Sequence, residues 1–248
     1  MNIPEKILKY IDISSLESET IGRSDASVER FGEMYLKSDS ISSSLPREHR
    51  ALRYMQGKVS VPEIVEYVEE EGRAYLLTRR IPGTMACRKE NLATPERTVK
   101  LLAEGLKILW NADISDCPEE LIFTFSRVLE LAEKRLSEAG LEEWEDSEFE
   151  SPEALLRYLK TVDFKDDLVL AHGDYCLPNV FLEGDKVTGF LDMADAGVCD
   201  RYMDIAQCLW SIEYNFRTDK YNSLFLENLG IEPDYEKIRL WSLYGMLF

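Results

Sequence analysis

The apolar pattern of this chain changes period once, at Pro82-Gly83, and that change limits the possible folds more than any other feature. Before it, Ser27-Val28-Glu29-Arg30-Phe31 and Met34-Tyr35-Leu36-Lys37 are two short runs split by Gly32-Glu33, the layout of a hairpin. Pro46 then opens a helix at a favoured first-turn position, Leu45, Leu52 and Met55 give it a partial apolar stripe, and Gly57 marks its end. Val61 to Glu66 and Arg73 to Thr78 read as two more strands around an acidic turn with Gly72. After the break the spacing becomes helical: Val99, Leu102, Leu106 and Leu109 share one face. A second helix runs through Val128, Leu129, Ala132 and Leu136 to Gly140, and a third covers Pro152 to Leu159. Short strands return at Leu168 to Leu170, Val180 to Leu182 and Val187 to Leu191, and the tail from Tyr202 to Phe248 is helical. The expected class is α+β, with a small β-rich N-lobe (residues 1–80) and a larger helical C-lobe (residues 81–248).

The 248 residues are 45% hydrophobic, enough for a true core. Acidic residues number 47 and basic residues 29, a net charge of −18, which argues against nucleic acid as a partner and favours cationic ligands. The five cysteines include no CxxC pair and there are only two histidines, so neither a zinc site nor a disulfide framework is expected. No stretch is apolar enough for a membrane span, and Met1 to Ser14 lacks a basic run followed by an apolar core. The expectation is a cytoplasmic protein without a membrane partner; its oligomeric state is left open.

The densest polar cluster is His172-Gly173-Asp174-Tyr175-Cys176-Leu177-Pro178-Asn179, set between two strands. Thirteen residues beyond Asn179, at the end of the next strand, stands Asp192 in Gly189-Phe190-Leu191-Asp192. The pattern H-G-D-x(4)-N with a strand-end Asp suits phosphoryl transfer from a metal-bound nucleotide. Asp174 can accept the proton of an attacking hydroxyl, and Asn179 and Asp192 supply the hard oxygens that Mg²⁺ prefers.

On these residues the chain resembles the aminoglycoside 3′-phosphotransferase family, which has the two-lobed protein-kinase-like fold. Asp200-Arg201-Tyr202 with Asp204-Ile205-Ala206, Asp113-Ile114-Ser115-Asp116-Cys117-Pro118, Tyr35-Leu36-Lys37 and the final Leu247-Phe248 extend the resemblance over nearly the whole chain. It implies transfer of the γ-phosphoryl group of ATP or GTP to an aminoglycoside hydroxyl, with Mg²⁺, and hence antibiotic resistance. It implies an N-lobe that binds nucleotide and a C-lobe that carries catalysis and the acceptor. Lys37 would hold the α- and β-phosphates, Glu48 would orient Lys37, and Tyr35 would stack on adenine. Backbone groups from Arg79 to Ile81 would meet the adenine edge, and Ser24 would lie in the loop over the phosphates. Asp174 would be the catalytic base or orienting group, with Asn179 and Asp192 on the metal. His172 would brace the loop, and Asp204 would bond back to it.

An aminoglycoside is a polycation, so its site needs carboxylates. The resemblance assigns that wall to Glu142 and Glu145, with Glu138, Glu213 and the terminal carboxylate of Phe248 adding to it. Three departures stand out. Ala194-Asp195 follows the metal Asp where the family usually has Gly-Arg, which exchanges a cation near the phosphates for an anion. Gly245-Met246 replaces two acidic residues common before the terminal Leu-Phe. Trp110 and Asn111 stand where a His-Ser pair is common. The second departure keeps open the same chemistry on another cationic or amino-sugar acceptor. The first keeps open a nucleotide-binding protein with little catalysis.

Overall fold

The computed structural model describes residues 3–18, 27–139, 144 and 148–247. A short helix α1 (Glu5–Leu8) precedes β1 (Leu16–Ser18), β2 (Ser27–Phe31) and β3 (Met34–Ser40); then come α2 (Leu45–Met55), β4 (Ile64–Glu70) and β5 (Arg73–Arg79). These strands form one antiparallel sheet in the order β1-β2-β3-β5-β4. The hairpin lies where the sequence places it, with Phe31 opposite Met34 and Gly32 at φ 60° in the turn. Strand β4 begins at Ile64, not Val61. Pro62 has no N–H to give a ladder, and a register shift lies between Ile64 and Glu66.

Strand β5 shows how the sheet is held. Ala74, Tyr75, Leu76 and Leu77 are all buried, because both faces of the strand are covered. Ala74 and Leu76 face the large core together with Leu45 and Leu52 of α2. Tyr75 and Leu77 face a second cluster with Phe31, Leu36 and Val68, closed by Ile7 of α1.

Beyond the break come β6 (Thr84–Met85), α3 (Lys89–Leu92), α4 (Pro95–Trp110), β7 (Ile122–Phe123), α5 (Phe125–Ala139), α6 (Pro152–Leu159) and β8 (Leu168–Ala171). They are followed by β9 (Val180–Glu183), β10 (Lys186–Phe190), β11 (Gly197–Asp200), α7 (Arg201–Phe216), α8 (Asn222–Leu229) and α9 (Tyr235–Gly245). Two three-stranded sheets, β10-β9-β6 and β7-β11-β8, sit among these helices. The architecture is the two-lobed α+β fold. Val99, Leu102, Leu106 and Leu109 of α4 are fully buried, as their spacing requires. All five cysteines are free thiols. Among the described residues no helix is long and apolar enough to cross a membrane.

Helix α4 reaches the polar loop after β8 through a glycine. A Cβ on Gly105 would lie 2.1 Å from Oη of Tyr175, and that hydroxyl donates to the carbonyl of Leu102 at 2.7 Å. Tyr175 is fully buried and has no room to retreat. Gly105→Ala is therefore expected to cost about 1–3 kcal/mol through overpacking. A denaturant midpoint unchanged from wild type would show the contact to be slack.

Candidate active site

The loop from His172 to Asn179 leaves β8, and helix α7 holds it at three points. Asp204, fully buried, accepts the backbone N–H of His172 (2.7 Å) and of Gly173 (2.9 Å) on its two oxygens. Burial pushes the Asp204 carboxyl above the usual carboxylate range, while the imidazole of His172 and these two N–H donors pull it back. Gln207 donates from Nε2 to Oδ1 of Asp174 at 2.8 Å. Ser211 Oγ accepts the N–H of Leu177 at 2.9 Å. Positions 204, 207 and 211 share a helix face, so one helix grips the whole loop.

Asp174 has a second donor. Asn179 Nδ2 lies 2.9 Å from its Oδ2 and 3.0 Å from its carbonyl oxygen. With two acceptors before it, the Asn179 amide turns its nitrogen to Asp174 and leaves Oδ1 for another partner. The carboxylate of Asp174 is thus clamped on both oxygens.

Leu191, just before the strand-end Asp192, is fastened to this loop from two sides. Asn179 O accepts the N–H of Leu191 at 2.9 Å, and His172 donates from Nε2 to Leu191 O at 2.8 Å. His172 Nδ1 accepts the N–H of Asp174 at 3.3 Å, which places the ring hydrogen on Nε2. Asp192 itself lies at φ 59°, ψ 59°, in the left-handed region that Asp tolerates better than most residues. Gly173 is required on steric grounds: at φ +83° its Cβ would fall 2.1 Å from the carbonyl oxygen of Asp195.

From the β-rich lobe, Lys37 on β3 reaches Oε1 of Glu48 on α2 at 2.7 Å and Oδ1 of Asp192 at 3.4 Å. Burial pulls the Lys37 ammonium toward a lower pKa, but the facing carboxylates of Glu48 and Asp192 outweigh it and the net shift is upward. Burial raises the pKa of Glu48, against the pull of Lys37.

Asp195 does not leave a bare anion at the site. Its Oδ1 lies 2.8 Å from Nη2 of Arg47, one residue before Glu48 on α2, so the cation comes from the other lobe. Helix α2 packs against the turn Met193–Asp195 that carries this carboxylate. Asp195→Arg would set two guanidinium groups face to face, and we expect a roughly fivefold rise in nucleotide KM. The exchange Arg47→Asp with Asp195→Arg should restore most of it. A steady-state titration with nucleotide checks both, and no effect in the single variant would mean that the pair is inert.

Other residues singled out in the sequence lie elsewhere. Tyr35 is half-buried on β3, opposite Thr78 of β5. Ile81 is buried, its side chain packed over Gly189. The N–H groups of Arg79 and Arg80 donate to Glu63 O and Glu33 O, each at 2.9 Å. Glu138 is on the exposed last turn of α5, 3.9 Å from Lys134. Glu213 on α7 accepts from Nδ2 of Asn222 at 2.6 Å, so α8 engages part of its carboxylate. Ser24, Glu142, Glu145 and Phe248 lie outside the described residues. Asp113 and Asp116 hold Lys58, just past α2, through a carbonyl at 2.9 Å and a carboxylate at 2.6 Å. Trp110 lies under the guanidinium of Arg201 at 4.8 Å. Gln207, Ser211 and Arg47 were not singled out in the sequence. The helical spacing of Gln207 and Ser211 from Asp204 was the one signal that pointed to the first two.

Residues 21–241 match the phosphotransferase enzyme family. The chain belongs to that family. It is similar to an aminoglycoside 3′-phosphotransferase of Staphylococcus aureus, 32% identical over 260 residues that cover 100% of this chain and 99% of the relative. The crystal structure of a type VIII aminoglycoside 3′-phosphotransferase superposes with a TM-score of 0.81 at 25% identity, covering 94% of each chain. An aminoglycoside phosphotransferase from Streptomyces rimosus, solved with ADP and streptomycin, shares the fold with a TM-score of 0.78 at 20% identity, covering 98% of this chain and 95% of that one.

The donor set of this phosphotransferase fits Mg²⁺. Oδ1 of Asn179 and the carboxylate of Asp192 are hard oxygens, and the network above leaves the Asn179 oxygen unspent. Among the described residues no three His, Cys, Asp or Glu side chains gather into a metal cage. Mg²⁺ does not need one, since it is commonly held by one or two protein oxygens together with nucleotide phosphates.

Proposed function

We propose that this phosphotransferase moves the γ-phosphoryl group of ATP or GTP to a hydroxyl of an aminoglycoside and so confers resistance to it. The observation that carries the reading is the double clamp on Asp174 by Gln207 and Asn179, with Leu191, next to the Asp192 that faces Lys37, bonded to the same loop. The full-length similarity to aminoglycoside 3′-phosphotransferases supports the acceptor class.

Asp174 accepts a hydrogen bond from the acceptor hydroxyl, aims its oxygen at the phosphorus and takes its proton as transfer proceeds. Gln207 and Asn179 keep the carboxylate from turning away. Lys37, aimed by Glu48, holds the nucleotide phosphates as a point charge. Asn179 Oδ1 and Asp192 would hold Mg²⁺, which when bound neutralises phosphate charge. We assign the adenine-edge contact to Ile81, because the N–H groups of Arg79 and Arg80 are already engaged. Tyr35 supplies a ring for the base, and Ser24 a hydroxyl over the phosphates. To Glu142, Glu145, Glu138, Glu213 and the Phe248 carboxylate we assign recognition of the cationic acceptor. Residues 1–80 thus bind nucleotide, and residues 81–248 carry the reaction and the acceptor.

Phosphorylation gives a neutral hydroxyl about two negative charges, which opposes binding of the drug to an anionic target. The test is nucleotide turnover by purified protein with Mg²⁺ across a panel of aminoglycosides, run with ATP and GTP in parallel. Turnover that requires a panel member is expected. No acceptor-dependent turnover with either nucleotide would overturn the reading.

A further inference from the structure

Helix α7 carries two aromatic rings that the fold leaves at the surface. Trp210 is 56% exposed and Tyr214 is 42% exposed. Their rings stack, with centroids 5.3 Å apart and planes 17° apart. The other faces of α7 have plain uses. Ile205, Cys208 and Ile212 are buried in the core, and Asp204, Gln207 and Ser211 grip the loop of Asp174.

The helical register puts the aromatic pair on the edge of α7 that continues from Gln207, the residue that holds the reacting carboxylate. Trp210 and Tyr214 are three and seven residues beyond Gln207, along the same edge of the helix. At 1.5 Å per residue they begin about 4.5 Å and 10.5 Å along the axis from the side chain that holds Asp174. Tyr214 is already engaged, with Trp210 stacked on it and the guanidinium of Arg217 4.7 Å from its ring centroid, so Trp210 is the more open ring of the two. Glu213, the carboxylate between the two rings in sequence, is engaged by Asn222.

We propose that Trp210, backed by Tyr214, forms an acceptor platform: an amino-sugar ring lays its apolar face on the exposed indole while its ammonium group rests against the aromatic quadrupole. This rests on the function proposed above and deepens it. The chain then recognises its polycation through ring faces as well as carboxylates. Ring contact tolerates ionic strength better than exposed ion pairs do, and it accepts any amino sugar with an open C–H face.

The experiment compares Trp210→Ala, Tyr214→Ala, Trp210→Phe and Tyr214→Phe with wild type, using an aminoglycoside that wild type phosphorylates. Each alanine variant should raise the acceptor KM about tenfold and leave the nucleotide KM near wild type. The phenylalanine variants should keep most of the affinity. Acceptor binding should quench tryptophan fluorescence in wild type and much less in Trp210→Phe, a readout independent of turnover. Unchanged acceptor KM in both alanine variants, or equal quenching in Trp210→Phe, overturns the platform while the function stands. Equal rises in acceptor and nucleotide KM overturn it too, since the pair would then be a general structural element. Absence of turnover by wild type on every aminoglycoside removes the function, and the platform falls with it.

Discussion

Asp174→Ala is expected to lower kcat by about 10²–10⁴-fold, the usual contribution of a positioned proton acceptor. Nucleotide KM and the unfolding midpoint should stay near wild type. The side chain is partly exposed, so water can reach the donors of Gln207 and Asn179 once the carboxylate is gone. The loop keeps its other anchors at Asp204 and Ser211. The predicted signature is a folded protein that binds nucleotide and does not transfer it. Steady-state kinetics beside a nucleotide-binding titration checks it. A variant that keeps a tenth or more of kcat would mean that another group receives the proton.

Asp200→Ala is expected to have the largest effect on stability. Asp200 is fully buried and accepts four hydrogen bonds. They come from Asp167 N at 2.7 Å, Tyr202 N at 3.0 Å, Lys237 Nζ at 2.6 Å and Trp241 Nε1 at 3.1 Å. The bond from Tyr202 caps α7, and those from Lys237 and Trp241 bring in α9. Removing the carboxylate leaves the Lys237 ammonium, only 16% exposed, without its counter-charge. Breaking such a buried pair costs about 3–5 kcal/mol, a large part of the 5–15 kcal/mol typical of whole domains. The measurement is urea unfolding, read as a fall in midpoint at constant slope. A loss below about 1 kcal/mol would show that water replaces the carboxylate at this site.

Asp174 is visible in the spacing of its own motif, whereas Asp200 stands out only within the segment Asp200-Arg201-Tyr202 that carries the resemblance. Asp174 sits in a short pattern whose spacing is set by local chain geometry, and no local pattern announces the four bonds that Asp200 accepts. The stripe of α4 and the hairpin around Gly32-Glu33 were legible because periodicity is a local property. Strand β11 was not. All four of its residues are buried, so it has no alternation, and its pairing with β7 and β8 joins segments far apart in sequence. Gln207 lies 33 residues from Asp174, and Arg47 meets Asp195 across the two lobes. Nothing in either local stretch announces such a contact. The replacement of a cation by Asp195 looked like a lost charge when read alone; the fold supplies Arg47 opposite it. The stripe Gln207, Trp210, Tyr214 was present in the sequence but acquired meaning only when Gln207 was seen to hold Asp174.

The most direct test of phosphoryl transfer is to identify the product. Purified protein, Mg²⁺, ATP and an aminoglycoside are incubated together, and the drug is recovered for mass and phosphorus NMR analysis. The expected result is a drug that carries one added phosphoryl group on a single hydroxyl, with none formed by Asp174→Ala. Nucleotide hydrolysis that leaves every drug in the panel unmodified would contradict transfer to an aminoglycoside and turn the search to a different acceptor.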